Sequence, residues 1–456
     1  MTDRELLEKI ASLIQEKKFS FLRNFMLEMQ AVDISEIFED LTIEETVIIY
    51  RLLPKQAATD VFVNMSTEKQ EELINSFSDY ELKQVIDDLY VDDTVDLIEE
   101  MPATVVKRIL RNASPQTRQT VNELLKYPET SAGSIMTTEY VSLKQSMTVG
   151  EAFAHLRKVA LDKETVYTCY VTDFKRQLIG LVTVKDLLSS NDDAIIEDIM
   201  EQNVIYAYTL DDREQVSRLL DKYSYLALPV VDNEQRLVGI ITVDDAIEVL
   251  HEETEEDFAK MAAITPTEKP YLRMGVLDIW KSRIPWLLIL MISATFTGII
   301  ISGFESALQG LAVLTIFIPM LMDTGGNSGS QASVTVIRGI SLGEIEFKDV
   351  LKVMWKEFRV SILCGVALSV TAFFKIILID RLLMGNEDVT VTVAAVVCIT
   401  LLFTVFVAKL IGCTLPVIAK KIGFDPAVMA SPFITTIVDA ISLLVYFGVA
   451  SSFLNF

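Results

Sequence analysis

The stretch AVMASPFITTIVDAISLLVYFGVASSFL, residues 427–454, decides the architecture of this chain. It is long enough to cross a membrane, because a spanning helix needs about 20 mostly apolar residues. Asp439 is its only charged residue. A carboxylate there costs about 2.5–3.5 kcal/mol on insertion scales, and such residues usually face a bundle interior or an ion path. If the helix starts at Ala427, Asp439 lies about 18 Å along it, near the midplane. Asp439 is therefore a candidate ion-binding residue.

Four other apolar segments precede this one, which predicts a domain of five membrane-spanning helices, at 284–304, 307–322, 361–379, 391–412 and 427–454. Lys375 and Lys409 are the only charged residues of the third and fourth segments. Either lysine could pair with Asp439 and hold helices together, which is the alternative to an ion path. Because five spans are few to enclose a pore, a symmetric homodimer with two Asp439 side chains on its axis is attractive.

Basic residues in the short loops predict the orientation, because cytoplasmic loops are rich in Lys and Arg. They concentrate before the first span, between the second and third, and between the fourth and fifth, whereas the opposite side offers Arg381 alone. We therefore expect a multi-pass protein of the cell membrane whose N-terminal domains are cytoplasmic and whose C-terminus lies outside.

The segment IPMLMDTGGNSGSQASVTVIRG, residues 318–339, follows the second apolar run with three glycines, Gly325, Gly326 and Gly329. Irregular backbone at membrane depth is tolerated only where protein or a water-filled cavity shields it. The segment is therefore predicted to stop the span and to line a pore with close or unwound backbone; a plain loop is the alternative.

Acidic and basic residues are distributed differently in the two halves of the chain. Residues 1–270 hold 52 acidic and 27 basic residues, and residues 271–456 hold 12 and 13. An acidic front half argues against nucleic acid as a partner, which needs clustered Lys and Arg, and suits cations. The sequence contains no phosphate-binding loop of the G-x-x-x-x-G-K-[ST] type and no nucleophile–base pattern, so we expect no enzyme.

The front half has two predicted domains. Residues 1–130 carry apolar residues at helical spacing, which indicates an all-α domain of stacked helical hairpins. Within 131–250, YVTDFKRQLIGLVTVKDLL (170–188) aligns with PVVDNEQRLVGIITVDDAI (229–247), with seven identities in nineteen positions. The duplication resembles a tandem pair of α/β CBS domains, which often bind adenine nucleotides or ions; a repeat without a ligand is the alternative.

Two acidic runs, at 88–100 and 248–260, are candidate sites for a hard divalent cation. Facing carboxylates repel each other, and a bridging Mg²⁺ or Ca²⁺ reverses the sign of the interaction. A solvated surface is the alternative for each run. We expect the connecting segment 251–283 to form an acidic helix and then, over 271–283, a short amphipathic helix at the membrane surface, ahead of a membrane domain over 284–456.

With these features the chain resembles the MgtE family of magnesium channels and transporters over nearly all of its length. The resemblance rests on four motifs in this order: AGSIMT (132–137), TVDDAIEVLHEETEED (242–257), PMLMDTGGNSGSQAS (319–333) and FDPAVMASPFITTIVDA (424–440). It implies a homodimer that passes Mg²⁺ into the cell and closes when cytoplasmic Mg²⁺ binds its acidic regulatory positions.

The resemblance also implies the residues that bind the ion. Asp439 matches the pore aspartate of the family. The regulatory metal-binding positions are acidic residues of the N-terminal domain, the second CBS domain and the connecting helix: Asp88, Asp92, Asp93, Asp96, Asp212, Glu214, Asp221, Asp245, Glu248, Glu253, Glu256 and Asp257. ATP at the CBS domains stays open. Two alternatives also stay open: a secondary transporter of Mg²⁺, Co²⁺ or Mn²⁺ coupled to Na⁺ or H⁺, and a divalent or nucleotide sensor that transports nothing.

Overall fold

A computed structural model describes residues 3–267, 271–272, 274–304 and 312–454 of the chain. The chain forms two compact units, Met1–His251 and Glu252–Phe456. In their described parts, the first unit combines helices with two small sheets, and the second is helical.

Short helices build the beginning of the first unit. Their N-termini are well defined, because hydroxyl side chains such as Thr42 and Ser78 accept hydrogen bonds from backbone N–H groups in the first turn. The strongest packing joins second neighbours, which describes a superhelical stack more closely than a set of hairpins. The helices are α1 (Asp3–Gln15), α2 (Phe19–Leu27), α3 (Ala31–Asp40), α4 (Ile43–Leu52), α5 (Lys55–Val63), α6 (Thr67–Ser76), α7 (Asp79–Ile86), α8 (Val91–Glu100), α9 (Ala103–Asn112) and α10 (Pro115–Leu124).

The duplicated segment forms two sheets with the same topology. In each sheet the first strand pairs parallel with the second, and the second pairs antiparallel with the third. The elements of the first copy are β1 (Val141–Lys144), α11 (Val149–Val159), β2 (Thr168–Thr172), β3 (Leu178–Thr183), α12 (Val184–Ser189) and α13 (Ile196–Ile199). Those of the second are β4 (Ala207–Tyr208), α14 (Arg213–Tyr223), β5 (Ala227–Val231), β6 (Leu237–Thr242) and α15 (Val243–Met261).

The equivalence of the two copies extends to single residues. Gly180 and Gly239 occupy matching positions opposite Val171 and Val230. A Cβ on either glycine would meet a methionine sulfur at 2.7 or 2.8 Å. Glycine is required at both positions because a methionine side chain covers each strand at that point.

One apolar core joins the helical segment to the second copy. It runs from Ile10 and Phe38 in the first helices to Val230 and Ile241 in β5 and β6. Because α8 and the start of α15 both pack on this core, the two acidic runs of the sequence begin on elements of the same unit.

The described part of the second unit contains five long helices. They are α16 (Val276–Gly303), α17 (Ile318–Ser341), α18 (Val350–Lys375), α19 (Val391–Lys421) and α20 (Ser431–Leu454). A π-helix, Ile376–Leu383, extends α18, and short 3₁₀ turns precede α17, α18 and α20.

Four segments are long and apolar enough to cross a membrane: Val276–Gly303, Phe347–Leu383, Val391–Lys421 and Pro426–Phe453. The segment predicted as the second span, 307–322, differs. Residues 307–311 lie outside the described residues, Ala312–Phe317 is a 3₁₀ turn, and α17 then continues far beyond 322.

Of the two possibilities predicted for the glycine motif, close backbone approach is confirmed and unwound backbone is wrong. Helix α17 runs without interruption through Gly325, Gly326 and Gly329. The glycines serve close packing instead: a Cβ on Gly325 would lie 2.6 Å from Thr404, and one on Gly329 would lie 2.9 Å from Ile434. Small residues let membrane helices approach closely, which offsets the weak helix propensity of glycine.

The prediction of a separate surface helix over 271–283 is also wrong for its described residues. From Val276 onward this segment is the start of α16, which passes through Pro285 without a break. The acidic helix α15 ends at Met261, before Pro266.

Candidate functional site

Eight carboxylates come together in the first unit. Three lie on α8, three near the start of α15, and two in the turns that lead into β1 and β2. We call this group the acidic cluster; its members are Asp92, Asp93, Asp96, Glu139, Glu164, Asp244, Asp245 and Glu248. Each member is close enough to another for its charge to oppose ionisation of that neighbour.

Burial and mutual repulsion raise the pKa values of six members of the acidic cluster, and burial is the largest cause; these are Asp92, Asp93, Asp96, Glu139, Glu164 and Asp245. The values are about 8 for Asp96 and Glu164, about 7 for Asp245 and Glu139, and about 6 for Asp93. Asp92 is more deeply buried, and its pKa lies well above the ordinary range. At neutral pH, Asp92, Asp96 and Glu164 therefore favour the protonated form, Asp245 and Glu139 are partly protonated, and a bound cation would favour the ionised form of each.

Three oxygens of the acidic cluster are buried without a hydrogen-bond partner: Asp92 Oδ1, Glu139 Oε2 and Glu164 Oε2. Buried polar atoms are normally bonded, so an orphaned carboxylate oxygen marks a position where a cation or a water can bind. In the described residues, no group of three or more His, Cys, Asp or Glu side chains is already arranged to hold a metal ion. Hard oxygen ligands still fit Mg²⁺, because this ion usually keeps several waters and needs only one or two carboxylates.

Glu139 and Glu164 were missed by the sequence reasoning. Each stands alone in a loop, outside the two acidic runs, so no local pattern marks it. The fold joins them: the backbone N–H of Glu164 donates to the carbonyl of Glu139 at 3.0 Å, and both side chains then reach Asp93. Because β1 and β2 pair in parallel, the turns that lead into these two strands lie side by side.

Four predicted regulatory residues lie elsewhere in the first unit, and three of them have partners of their own. Asp88 forms an ion pair with Lys55, and Glu214 forms one with Arg218. Asp212 caps α14 by accepting a hydrogen bond from the backbone N–H of Gln215 at 3.0 Å. Asp221 is exposed in the last turn of that helix. The structure does not bring these four into the acidic cluster.

The predicted residues on the second half of α15 belong to the second unit. Asp257 accepts a hydrogen bond from Ser341 Oγ at 2.8 Å, at the end of α17. Glu256 pairs with Lys260 at 2.5 Å, and Lys260 also bonds Asp425 at 2.6 Å. Glu253 also has an interaction within the structure. These residues attach the end of α15 to the helices of the second unit.

Asp439 lies on α20, half-buried, eight residues after the helix begins at Ser431. The helix start places it about 12 Å along α20 rather than the 18 Å expected. Across from it lies α17: a Cβ on Gly326 would be 3.7 Å from Asp439 Oδ1. Asp323 on the same helix is close enough to repel its charge and accepts a hydrogen bond from Asn327 at 3.1 Å.

The two lysines that could have neutralised Asp439 are engaged elsewhere. Lys375 bonds Asp380 at 2.8 Å, and Lys409 pairs with Glu357 at 3.5 Å. The alternative of a purely structural ion pair between Asp439 and either lysine is therefore wrong. Asp323 was quoted within its motif but not recognised as a site residue, because only the packing of α17 on α20 brings it near Asp439.

Small and hydroxyl side chains lie where α17 packs against α19 and α20. The hydroxyls of Thr400, Thr404 and Ser442 are buried and have no hydrogen-bond partner among the described residues. Gly325 lies against both Thr404 and Ser442. The interface of α17, α19 and α20 thus combines close backbone contact with polar groups that can bind water or a cation.

Family models match most of the chain. The model of the MgtE intracellular N domain matches residues 29–130, and that of the CBS domain matches 132–192 and 196–252. The MgtE model, described as a divalent cation transporter, matches residues 318–449. The prediction of a paired CBS module is confirmed.

Curated relatives align over almost the whole chain. The magnesium transporter MgtE of Thermus thermophilus is 34% identical over 98% of this chain and 98% of its own length. The magnesium transporter MgtE of Bacillus subtilis is 33% identical over 100% of this chain and 99% of its own length. Both relatives are transporters and not enzymes, which agrees with the prediction from the sequence.

Solved structures resemble the first part of the chain. The cytosolic domain of the Mg²⁺ channel MgtE in complex with ATP is 35% identical, with a TM-score of 0.51, over 53% of this chain and 99% of its own length. The soluble part of a magnesium transporter is 28% identical, with a TM-score of 0.52, over 55% of this chain and 99% of its own length.

Proposed function

We propose that this chain, which belongs to the MgtE family of divalent cation transporters, is a magnesium-selective channel. The channel carries Mg²⁺ into the cell. The observation that carries this proposal is Asp439, a half-buried carboxylate on an otherwise uncharged apolar helix, which neither membrane lysine neutralises. Such a group is costly in a mere anchor and useful on an ion path.

Asp439 binds the ion through its water shell. Mg²⁺ gives up its waters reluctantly, so a carboxylate among hydroxyls and small residues can hold the hydrated ion without stripping it. The membrane potential supplies the driving force, about 2.3 kcal/mol per charge per 100 mV and twice that for a divalent ion. No chemical energy source is required.

Cytoplasmic Mg²⁺ closes the channel through the acidic cluster. When the ion is scarce, the carboxylates repel each other and α8 separates from the start of α15. When it is plentiful, Mg²⁺ replaces the protons and offsets the repulsion, which supports the closed form. The orphaned oxygens of Asp92, Glu139 and Glu164 support this role.

The remaining predicted residues stay proposals. Glu253, Glu256 and Asp257 transmit closure, which their position on α15 and the Asp257–Ser341 bond support. Asp88, Asp212, Glu214 and Asp221 would have to exchange their present partners or solvent for Mg²⁺. Protection of residues 250–270 from protease by Mg²⁺ tests this transmission, and unchanged cleavage would argue against it.

We further propose five membrane spans, with α17 as the second, and a homodimer around Asp439. Helix α17 has 24 residues, enough to span, although its glycines and hydroxyls make it too polar for recognition by composition. Five spans with cytoplasmic N-terminal domains place the C-terminus outside. A cysteine added after Phe456 should react with a membrane-impermeant reagent from outside intact cells; labelling only after permeabilisation would refute this topology.

ATP is a proposed ligand of the CBS pair. The support is a solved relative, the cytosolic domain of a Mg²⁺ channel in complex with ATP. Equilibrium dialysis of the purified chain against labelled ATP tests the proposal, and the absence of saturable binding would refute it.

Patch-clamp recording tests the function as a whole. Mg²⁺ is the sole permeant cation, and internal Mg²⁺ is raised stepwise. A current that disappears as internal Mg²⁺ rises supports both the pore and its regulation. A current that internal Mg²⁺ never affects would support the pore but refute its regulation by Mg²⁺.

A coupled transporter is the second candidate, favoured by the unpartnered hydroxyls of Thr400, Thr404 and Ser442, which suit a monovalent cation. Mg²⁺ uptake into vesicles that depends on a Na⁺ or H⁺ gradient, without any current carried by Mg²⁺ alone, would establish it. A sensor that transports nothing would show neither flux nor current.

A further inference from the structure

A cavity of about 190 Å³ lies where α17 and α19 end in the second unit. Its wall is apolar, formed by Ile340, Ile345, Phe347 and Val417, while charged side chains line its edge. Phe347 in this wall is 45% exposed, and Ile422 and Phe424, which follow Lys421 in the chain, are 64% and 63% exposed. An apolar cavity beside exposed apolar side chains is suited to lipid rather than to a soluble ligand.

Two lysines stand at the edge of this cavity without an anionic partner. Lys420 and Lys421 line it and are exposed, and neither forms an ion pair with any described residue. Lys421 Nζ lies 3.7 Å from the centre of the Phe347 ring. The Glu346 carboxylate also lines the cavity, but Lys348 pairs with it at 2.7 Å. The cavity therefore presents a net positive edge to an apolar interior.

We propose that this cavity binds an anionic phospholipid of the cytoplasmic leaflet, with an acyl chain against Ile340, Ile345 and Val417 and the headgroup phosphate at Lys420 and Lys421. The proposal rests on the membrane placement proposed above and is independent of ion conduction. Juxtamembrane lysines attract anionic lipids by about 1 kcal/mol each. Lysines alone would bind any phosphate, but the apolar wall favours a ligand that also has an acyl chain.

The site adjoins the attachment of α15. Ile340 lines the cavity, and the next residue, Ser341, donates its hydroxyl hydrogen bond to Asp257. A lipid that holds the end of α17 thereby favours this attachment. The lipid composition of the inner leaflet, in addition to Mg²⁺, thereby influences how α15 is held.

Native mass spectrometry of the full-length protein tests the proposal with phosphatidylglycerol, phosphatidylcholine, glycerol phosphate and inorganic phosphate as probes. The test variant is Lys420→Gln with Lys421→Gln. The matched control is Lys352→Gln with Lys356→Gln, which removes the same charge from two exposed lysines of α18 that do not line the cavity. All four positions are exposed, so folding is retained, and melting temperatures verify this.

We expect the wild type to prefer phosphatidylglycerol over phosphatidylcholine by about tenfold. The test variant should lose most of that preference, and the control should keep it within about twofold. Equal losses in both variants would overturn the site in favour of general surface charge. Displacement by glycerol phosphate or inorganic phosphate as effective as that by phosphatidylglycerol would overturn the lipid in favour of a free anion.

A change in the dimer-to-monomer ratio of the test variant, with lipid binding unchanged, would also overturn the proposal and indicate an interface between copies. The readout involves no ion flux. Selective lipid binding by a protein that conducts no Mg²⁺ would therefore uphold this site while refuting the channel.

Discussion

The acidic cluster and the region of Asp439 both contain buried or half-buried carboxylates, but they differ in how many carboxylates lie close together. In the acidic cluster, eight carboxylates share one region and raise the pKa of their neighbours. At Asp439, one half-buried carboxylate has one acidic neighbour among the described residues, Asp323, and lies close to Gly326 of α17. Many repelling carboxylates make a region whose folding depends on a bound ion. A nearly isolated one attracts the ion and can release it.

Under the proposed function, this difference would let one ion serve both as substrate and as regulator. A regulatory site must change structure when Mg²⁺ binds, which requires repulsion that the ion removes. A conducting site must leave structure unchanged, so its charge must be low and its surroundings rigid. The predictions below test whether the two regions differ in this way.

The largest expected effect comes from the conducting site. Asp439→Ala should lower Mg²⁺ uptake into vesicles by about 100-fold or more, because the path loses its main charge while binding to the acidic cluster is untouched. Asp439→Glu, which keeps the charge, is the control and should retain measurable flux. Undiminished uptake in the alanine variant, with normal assembly by size-exclusion chromatography, would remove Asp439 from the path.

Neutralising the second half of α15 should affect regulation and spare conduction. The variant Glu253→Gln, Glu256→Gln, Asp257→Asn should keep an open current at internal Mg²⁺ that closes the wild type, with an inhibition constant raised about tenfold or more. Glu387→Gln, at an exposed loop position, is the control. Normal inhibition in the triple variant would refute the role of these residues in closure.

Asp323→Asn measures how isolated Asp439 is. Because Asp323 contributes a second negative charge near Asp439, its loss should lower Mg²⁺ flux several-fold, about 3–10-fold, without abolishing it. Uptake is measured as for Asp439→Ala. A loss as complete as that of the alanine variant would show a two-carboxylate site and weaken the contrast with the acidic cluster.

Asp96→Asn with Asp245→Asn should reverse the response of stability to Mg²⁺. Without divalent ions the variant should melt about 5 °C higher than the wild type, because two repelling carboxylates are gone, and Mg²⁺ should then add little. Asp186→Asn is a matched control, since Asp186 is the counterpart of Asp245 in the first copy, where it caps α12. A Mg²⁺-induced rise in melting temperature equal to that of the wild type would contradict the proposed site.

The smallest effect is on pH dependence. Asp96 and Glu164 have pKa values near 8 in the folded protein, above the ordinary values near 4. A carboxyl whose folded pKa is raised binds more protons when folded, so stability is lost as pH rises from about 4 to about 8. Without Mg²⁺, the melting temperature should therefore fall between pH 6 and about pH 8. Saturating Mg²⁺ should flatten this slope, and a stability that rises with pH would contradict the sign.

Much of the architecture follows from sequence, because its signals are local. Apolar length predicts where the spans at α16, α18, α19 and α20 lie, and the 59-residue offset between the aligned segments predicts the repeated sheets. The predicted metal-binding residues Asp92, Asp93, Asp96, Asp245 and Glu248 do converge in the acidic cluster. Whether they bind Mg²⁺ stays a prediction.

The missed features depend on tertiary contact. Glu139 and Glu164 join the acidic cluster only through strand pairing, and Asp323 approaches Asp439 only when α17 packs on α20. The helical state of the glycine motif was missed for the same reason: glycine weakens an isolated helix, but packing against α19 and α20 offsets that cost.

Gly412 meets the Gly329 carbonyl so closely that a Cβ at position 412 would lie 2.2 Å from that oxygen. Helices α17 and α19 therefore cross backbone against backbone, with no side chain between them. Such a crossing sets the separation of the two helices, because any larger residue at position 412 would force them apart. The position of α17 beside Asp439 therefore depends on the absence of a side chain at position 412.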